Sequence, residues 1–150
     1  MEKIKMTHNE YQEFLKKMAG KIFSDKNYTY SDYLKDANSI EVLPFNLEKF
    51  NLTEDIEKSI NVYFKEEYID KDGIYSLKGF SESVDEWLML TDKLGLKREM
   101  GYYYSGYCHN DNLNFYMTYC EGDLYLKLFD NKEIYKKSLY KTIKWYEEEL

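Results

Sequence analysis

The sequence predicts an α+β domain with a helical N-terminal half of about three helices. A three-stranded antiparallel meander at about 98–129 and a C-terminal helix packed on the sheet complete it. Two observations lead to this prediction. Apolar residues recur at helical spacing before residue 95, and they alternate with period two across the meander. The length of 150 residues predicts a single domain, 1–150.

The first helices are indicated by their caps. Thr7 and Glu10 form a capping box, and an apolar stripe runs on to Ile22, so a helix is predicted over about 8–23. Ser31 is expected to cap a short second helix that ends near Ala37.

The middle of the chain combines one extended segment, two helices and a turn. Residues 40–45 are predicted as a strand or an extended linker. Thr53 caps the next helix, and residues 70–73 (Asp-Lys-Asp-Gly) form a turn. Ser81 opens a further helix, which Gly95 ends.

The meander separates two faces by residue type. A two-residue turn at 110–111 pairs Tyr104 with Met117, and one at 121–122 pairs Tyr119 with Leu124. One face is apolar and is predicted to be core; it carries Met100, Tyr102, Tyr104, Cys108, Leu113, Phe115, Met117, Tyr119, Leu124, Leu126 and Leu128. The opposite side, called here the tyrosine face, carries Tyr103, Tyr107, Tyr116, Tyr125 and Phe129.

The last predicted helix begins after Asn131 and runs to about Glu148. Five lysines lie off its apolar stripe, where they keep the outer side of the helix solvated.

Composition restricts the class of protein. No run approaches the roughly 18 apolar residues of a membrane span, and no apolar stretch follows the N-terminal lysines as in a signal peptide. Cys108 and Cys120 are expected to be free thiols in a reducing compartment, which places the chain in the cytoplasm of a bacterial cell. Lys-, Asn-, Ile- and Tyr-rich composition is typical of low-GC bacteria and their phages.

Negative charge is concentrated in residues 54–86. This segment contains ten acids and four lysines, a net charge of −6 within a total of −7. An acidic surface repels nucleic acid and favours a basic partner. The acids expected to bind that partner are Glu66, Glu67, Asp70, Asp72, Glu82, Asp85 and Glu86. Charge reversal at the first four is expected to weaken binding and leave the fold intact.

The tyrosine face is the second candidate for partner binding, through Tyr103, Tyr107, Tyr116 and Tyr125. Tyrosine is favoured at interfaces because it buries a large area and keeps a hydrogen bond. The face is either exposed to solvent or covered by helices as a second core layer. Stacking of single-stranded nucleic acid is disfavoured, because Lys127 is the one basic residue on this face.

Motifs for metal binding or catalysis are incomplete. The segment 70–73 resembles part of an EF-hand loop, but Tyr68 and Gly79 occupy positions that need acids. Cys108, His109 and Cys120 give three zinc ligands at most, on opposite faces of the strands. No catalytic residue, metal or cofactor is therefore predicted.

The sequence favours a small acidic, non-enzymatic inhibitor that binds a larger basic protein, such as a nuclease or another nucleic-acid-binding effector. Anti-CRISPR proteins and toxin-immunity proteins have this general profile of size and charge. Two other classes are kept as alternatives. One is a small enzyme or ligand-binding module with a pocket between sheet and helices. The other is a structural subunit of a larger assembly.

Overall fold

A computed structural model describes residues 2–102 and 104–149, and for residues 100–102 it describes the backbone alone. The chain divides into two compact units, Met1–Asn46 and Leu47–Leu150. A single domain over residues 1–150 remains a prediction. Among the described residues, no helix combines the length and the apolar character that crossing a bilayer requires.

The first unit contains two helices and two short strands. Thr7 caps its first helix with the predicted capping box. The second helix begins two residues earlier than predicted, because Thr29 forms a capping box with Asp32 and caps the helix in place of Ser31. The strands are parallel and pair Ile4 with Ile40. In chain order the elements are β1 (Ile4–Met6), α1 (His8–Ser24), α2 (Tyr30–Asn38) and β2 (Ile40–Val42).

The second unit is a six-stranded antiparallel sheet with helices. A 3₁₀ turn, Glu48–Phe50, precedes the first helix of this unit. The elements are α3 (Glu54–Tyr63), β3 (Phe64–Ile69), β4 (Tyr75–Phe80), α4 (Val84–Lys93), β5 (Lys97–Tyr102), β6 (Ser105–Asn110), β7 (Phe115–Cys120), β8 (Asp123–Leu128) and α5 (Lys132–Glu149). The order of the strands across the sheet is β3-β4-β8-β7-β6-β5.

The predicted three-stranded meander is wrong in its first strand, which is two strands, β5 and β6. The turn at 121–122 is confirmed, since Tyr119 pairs with Leu124. The turn at 110–111 is wrong, because the loop is longer and Met117 pairs with Cys108 rather than with Tyr104. This shift equals four residues, an even number, so β6, β7 and β8 keep their predicted faces. In β5 the prediction was wrong: a register shift between Arg98 and Met100 pairs Met100 with Tyr107 and Tyr102 with Ser105, which belong to the other face.

The hairpin of β3 and β4 was not predicted, although its turn was. Gly73 N–H donates to the Asp70 carbonyl at 3.0 Å, which closes the turn. β3 is an edge strand with mostly exposed side chains and a register shift between Phe64 and Glu66, so it lacks a clear alternation. Gly79 of β4 pairs with Phe64 of β3, and a Cβ atom added at Gly79 would stand 2.5 Å from the Tyr63 carbonyl oxygen.

Both faces of the sheet are covered. Cys108, Met117 and Leu126 on the apolar face are fully buried, and Trp87 of α4 packs against Tyr119 on this side. On the tyrosine face, α5 contributes Tyr135, Leu139 and Tyr146 to a buried cluster. The C-terminal helix thus packs on the sheet as predicted. Four helices, rather than about three, precede the strands β5–β8 in the described part of the chain.

Candidate partner-binding surface

The predicted acidic residues fall into two groups in the second unit. Glu66, Glu67, Asp70 and Asp72 belong to the β3–β4 hairpin. Glu82, Asp85 and Glu86 belong to the β4–α4 loop and the first turn of α4, where the helix dipole favours negative charge. The two groups differ in how much of their charge is available to a partner.

Asp70 stabilises the fold and is largely hidden from solvent. Its carboxylate accepts a hydrogen bond from Lys127 Nζ at 2.6 Å and lies at 9% side-chain exposure. It also accepts from the backbone N–H groups of Asp72 and Ile74, both at 2.9 Å. Burial alone would raise the pKa of Asp70, but these hydrogen bonds outweigh burial and lower the pKa. We therefore expect charge reversal at Asp70 to perturb the fold, whereas the sequence alone led us to expect an intact fold.

Glu67 is also engaged within the hairpin. The Tyr75 hydroxyl donates to its carboxylate at 2.6 Å, and burial together with this bond raises the pKa of Tyr75. Glu66 and Asp72, in contrast, are exposed. Two of the four hairpin acids thus remain as surface charges.

The tyrosine face is a second core layer rather than an exposed surface. Tyr107 and Tyr116 are 5% and 2% exposed, because α5 covers them. The Tyr116 hydroxyl lies 2.7 Å from Ser138 Oγ, a contact that fixes the helix on the sheet. Tyr125 is half-buried. The predicted site residue Tyr103 lies outside the described residues. Tyr107 and Tyr116 are therefore not available for the partner contact expected of them.

A cleft of about 800 Å³ opens beside the second acidic group. Four aromatic side chains line it: Phe80, Trp87, Tyr104 and Tyr119. Phe80 and Tyr104 are exposed, whereas Trp87 and Tyr119 are half-buried. The aromatic rings therefore form both the inner wall and the entrance of the cleft.

Three exposed carboxylates line the same cleft, those of Glu82, Asp85 and Glu121. Among the residues that the structure describes, no lysine or arginine lines the cleft. Since opposite charges attract most strongly where water is partly excluded, the cleft favours a cationic group.

Backbone hydrogen bonds join the three loops around the cleft. Ser81 N–H donates to the Gly122 carbonyl at 2.8 Å, which ties the β4–α4 loop to the β7–β8 turn. Glu121 N–H donates to the Tyr104 carbonyl at 2.7 Å, which ties this turn to the β5–β6 connection. The cleft walls are thus connected through main-chain atoms and not by side chains alone.

Trp87 is the central side chain of the inner wall. The ring centroids of Trp87 and Tyr119 lie 4.1 Å apart. The guanidinium carbon of Arg98 lies 6.0 Å from the Trp87 ring centroid. The indole Nε1 is buried without a hydrogen-bond partner in the described part of the chain. Burial raises the pKa of Tyr119 to about 12, so its hydroxyl stays protonated at neutral pH.

An apolar depression adjoins the cleft. Its apolar lining is Val62, Phe80 and Met89, which are 62%, 56% and 46% exposed, together with Tyr63. One cation, Lys65, and two acids, Asp85 and Glu86, complete the described lining. Phe80 and Asp85 line both this depression and the cleft. We call the two together the α4 surface.

The aromatic part of the α4 surface was not predicted. The apolar periodicity of the sequence assigned Trp87, Tyr104 and Tyr119 to the core. Such periodicity does not show whether the end of a sheet is left uncovered. Phe80 carried one usable signal. It is a large aromatic residue immediately before a loop rich in serine and acids.

His109 takes part in a contact network that involves Asp111 and α5. It is buried, and its Nδ1 lies 3.0 Å from Asp111 Oδ1, to which the Tyr135 hydroxyl also donates. These contacts connect the β6–β7 loop to α5. Within residues 2–149 apart from 103, no group of three or more His, Cys, Asp or Glu side chains is arranged to hold a metal ion.

No protein-family model matches this chain, and no curated protein or solved structure shows significant similarity to it.

Proposed function

We propose that this chain is a non-enzymatic binding protein that docks on a larger basic protein through the α4 surface. The observation that supports the proposal is the juxtaposition of exposed apolar side chains with surface acids. Phe80 and Met89 lie beside Asp85, with Glu82 and Glu86 nearby.

The arrangement has the anatomy of a protein interface. Exposed aromatic and methionine side chains supply area that is removed from water on binding, and charged residues around them set orientation. Acids at the margin accelerate encounter with a basic surface and disfavour acidic partners. Isolated exposed apolar residues are common on proteins, but a contiguous group beside a cleft is typical of an interaction site.

The partner we favour is a nuclease or another nucleic-acid-binding effector, because such proteins present lysine- and arginine-rich grooves. An acidic protein that occupies such a groove excludes the nucleic acid, which makes the chain an inhibitor of the anti-CRISPR or toxin-immunity type. Both cysteines are free, and Cys108 is buried, in keeping with action in the bacterial cytoplasm.

The proposal is tested by affinity capture from the source cell with tagged protein, followed by mass spectrometry. Wild type is expected to capture a basic protein, and Phe80→Ala is expected to reduce its affinity about 30-fold, as for a central interface aromatic. E82Q/D85N should also weaken binding. The matched control, E66Q/D72N, removes the same charge from exposed hairpin positions and should bind normally.

Equal capture by wild type, Phe80→Ala and E82Q/D85N would contradict the proposal. So would a captured partner that is acidic, since the acids of the α4 surface would then repel it.

A second candidate function is a module that binds a small cationic ligand. The observation that favours it is the size of the cleft, which lies within the range of small-molecule sites. Tyr119 would serve it as a hydrogen-bond donor rather than as a base, since its pKa is raised to about 12.

A further inference from the structure

We propose that the cleft of the α4 surface receives a single arginine side chain of the partner. This inference rests on the proposed function and specifies the group that the partner must present. The apolar depression would then bind the partner's neighbouring surface, and the cleft would select the residue at its centre.

The aromatic walls are the first argument. A guanidinium is planar and weakly hydrated, so it stacks on aromatic faces at lower desolvation cost than an ammonium. Trp87 and Tyr119 supply the inner wall, and Tyr104 and Phe80 stand at the entrance. Tryptophan is the aromatic residue that attracts cations most strongly.

The carboxylates are the second argument. Glu82 and Asp85 come from the β4–α4 loop and α4, and Glu121 comes from the β7–β8 turn. They therefore approach the cleft from different elements. A guanidinium has five N–H donors in a fixed fork and can bond more than one carboxylate, whereas an ammonium acts as a point charge.

The chain itself contains a related arrangement. Arg98 lies near the Trp87 ring, and its Nη1 donates to Thr91 Oγ1 at 2.8 Å and lies 3.7 Å from Asp92. A guanidinium is thus already accommodated beside this indole, with a carboxylate as its ionic partner.

The test uses Trp87 as its own reporter. The chain has two tryptophans, and the exposed Trp145 on α5 can be replaced by Phe, which leaves Trp87 as the single indole. The full-length W145F protein is titrated in low salt with three capped peptides, Gly-Arg-Gly, Gly-Lys-Gly and Gly-citrulline-Gly. We expect saturable change of Trp87 fluorescence with the arginine peptide, at least fivefold weaker binding of lysine, and no saturation with citrulline.

Variants in the W145F background locate the response. E82Q/D85N/E121Q should weaken arginine binding at least tenfold, and E66Q/D72N should leave it unchanged. Circular dichroism of each variant shows whether it is folded. No saturation with the arginine peptide, equal binding of the three peptides, or full binding by the triple variant would overturn the inference.

Failure of the inference can be told apart from failure of the proposed function. If Phe80→Ala abolishes partner capture but the arginine peptide does not bind, the docking surface stands and the arginine site falls. If the peptide binds as expected while capture is unaffected by Phe80→Ala and E82Q/D85N, the cleft is an arginine site and the proposed docking role falls.

Discussion

The carboxylates of the acidic segment 54–86 have different roles, and the surroundings of each carboxylate determine its role. Asp70 accepts three hydrogen bonds and faces Lys127, while Asp72, two residues later in the same turn, is exposed. Charge at Asp70 is balanced within the fold, and charge at Asp72 is directed to solvent. The sequence shows both simply as acids, because Lys127 is 57 residues away along the chain.

Replacement of Asp70 is expected to destabilise the second unit. Asp70→Ala removes the acceptor for Lys127 and for two turn N–H groups, at a cost of about 2 kcal/mol in the free energy of unfolding. Asp72→Ala, the matched control, should change it by less than about 0.5 kcal/mol. Urea denaturation at pH 7 measures both. Equal effects of the two variants would contradict the assigned role of Asp70.

The effect of Asp70→Ala should depend on pH. Since folding lowers the pKa of Asp70 from 3.8, its stabilisation is complete above that value and is lost as pH falls through the lowered pKa. The difference between wild type and Asp70→Ala should therefore narrow below about pH 4. A difference that widens on acidification would show that the sign of the pKa change is wrong.

At the scale of elements, α5 determines what the tyrosine face can do. Its apolar stripe was predicted from spacing, and so was its packing on the sheet. The period of the strands could not show that α5 covers Tyr107 and Tyr116, because a tyrosine-rich surface is equally compatible with solvent and with a helix. The hydroxyls find partners within the core, as between Tyr146 and the Gly106 carbonyl at 2.9 Å.

The hydrogen bond from the Tyr146 hydroxyl to the Gly106 carbonyl can be used to measure how strongly α5 is held on the sheet. Tyr146→Phe removes the hydroxyl that donates to the buried Gly106 carbonyl and should cost about 1 kcal/mol of stability. Tyr140→Phe is the matched control on the same helix, because Tyr140 is 59% exposed, and it should be neutral within about 0.5 kcal/mol. Thermal or urea unfolding distinguishes the two. A neutral Tyr146→Phe would mean that this bond contributes nothing to docking of the helix.

The other elements show where sequence patterns suffice. The caps Thr7 and Thr53 were predicted correctly, because each acts locally through its own turn. The other two predicted caps were wrong, since Thr29 rather than Ser31 caps α2 and Ser83 rather than Ser81 caps α4. β3 was missed because an edge strand with Lys65, Glu66 and Glu67 has no apolar alternation. The split between β5 and β6 was missed because the alternation in the sequence continues from one strand into the next.

At the scale of the whole molecule, charge and apolar surface are combined on the second unit. Residues 54–86 carry almost all the net charge of −7, and the exposed Val62 and Phe80 belong to the same segment, with the exposed Met89 three residues beyond it. The acids of the candidate site could therefore be predicted from composition. The cleft could not be predicted, because it is assembled from loops that are distant in sequence.

The rate of association with a basic partner should fall steeply with ionic strength. Raising salt from 20 to 300 mM shortens the screening length from roughly 20 Å to under 10 Å, so steering weakens while dissociation changes little. Stopped-flow or surface-binding kinetics with the captured partner measures this effect. An association rate that does not depend on salt would mean that the acidic segment plays no part in the encounter.

The edge strand β3 carries Lys65, Glu66 and Glu67 in succession and a register shift between Phe64 and Glu66. Free strand edges invite pairing between copies, and charges and bulges discourage it. The hairpin acids thus have a use that requires no partner. They discourage pairing of the open sheet edge between copies, and we expect that neutralising Glu66 and Glu67 together would first lower the solubility of the accumulated protein.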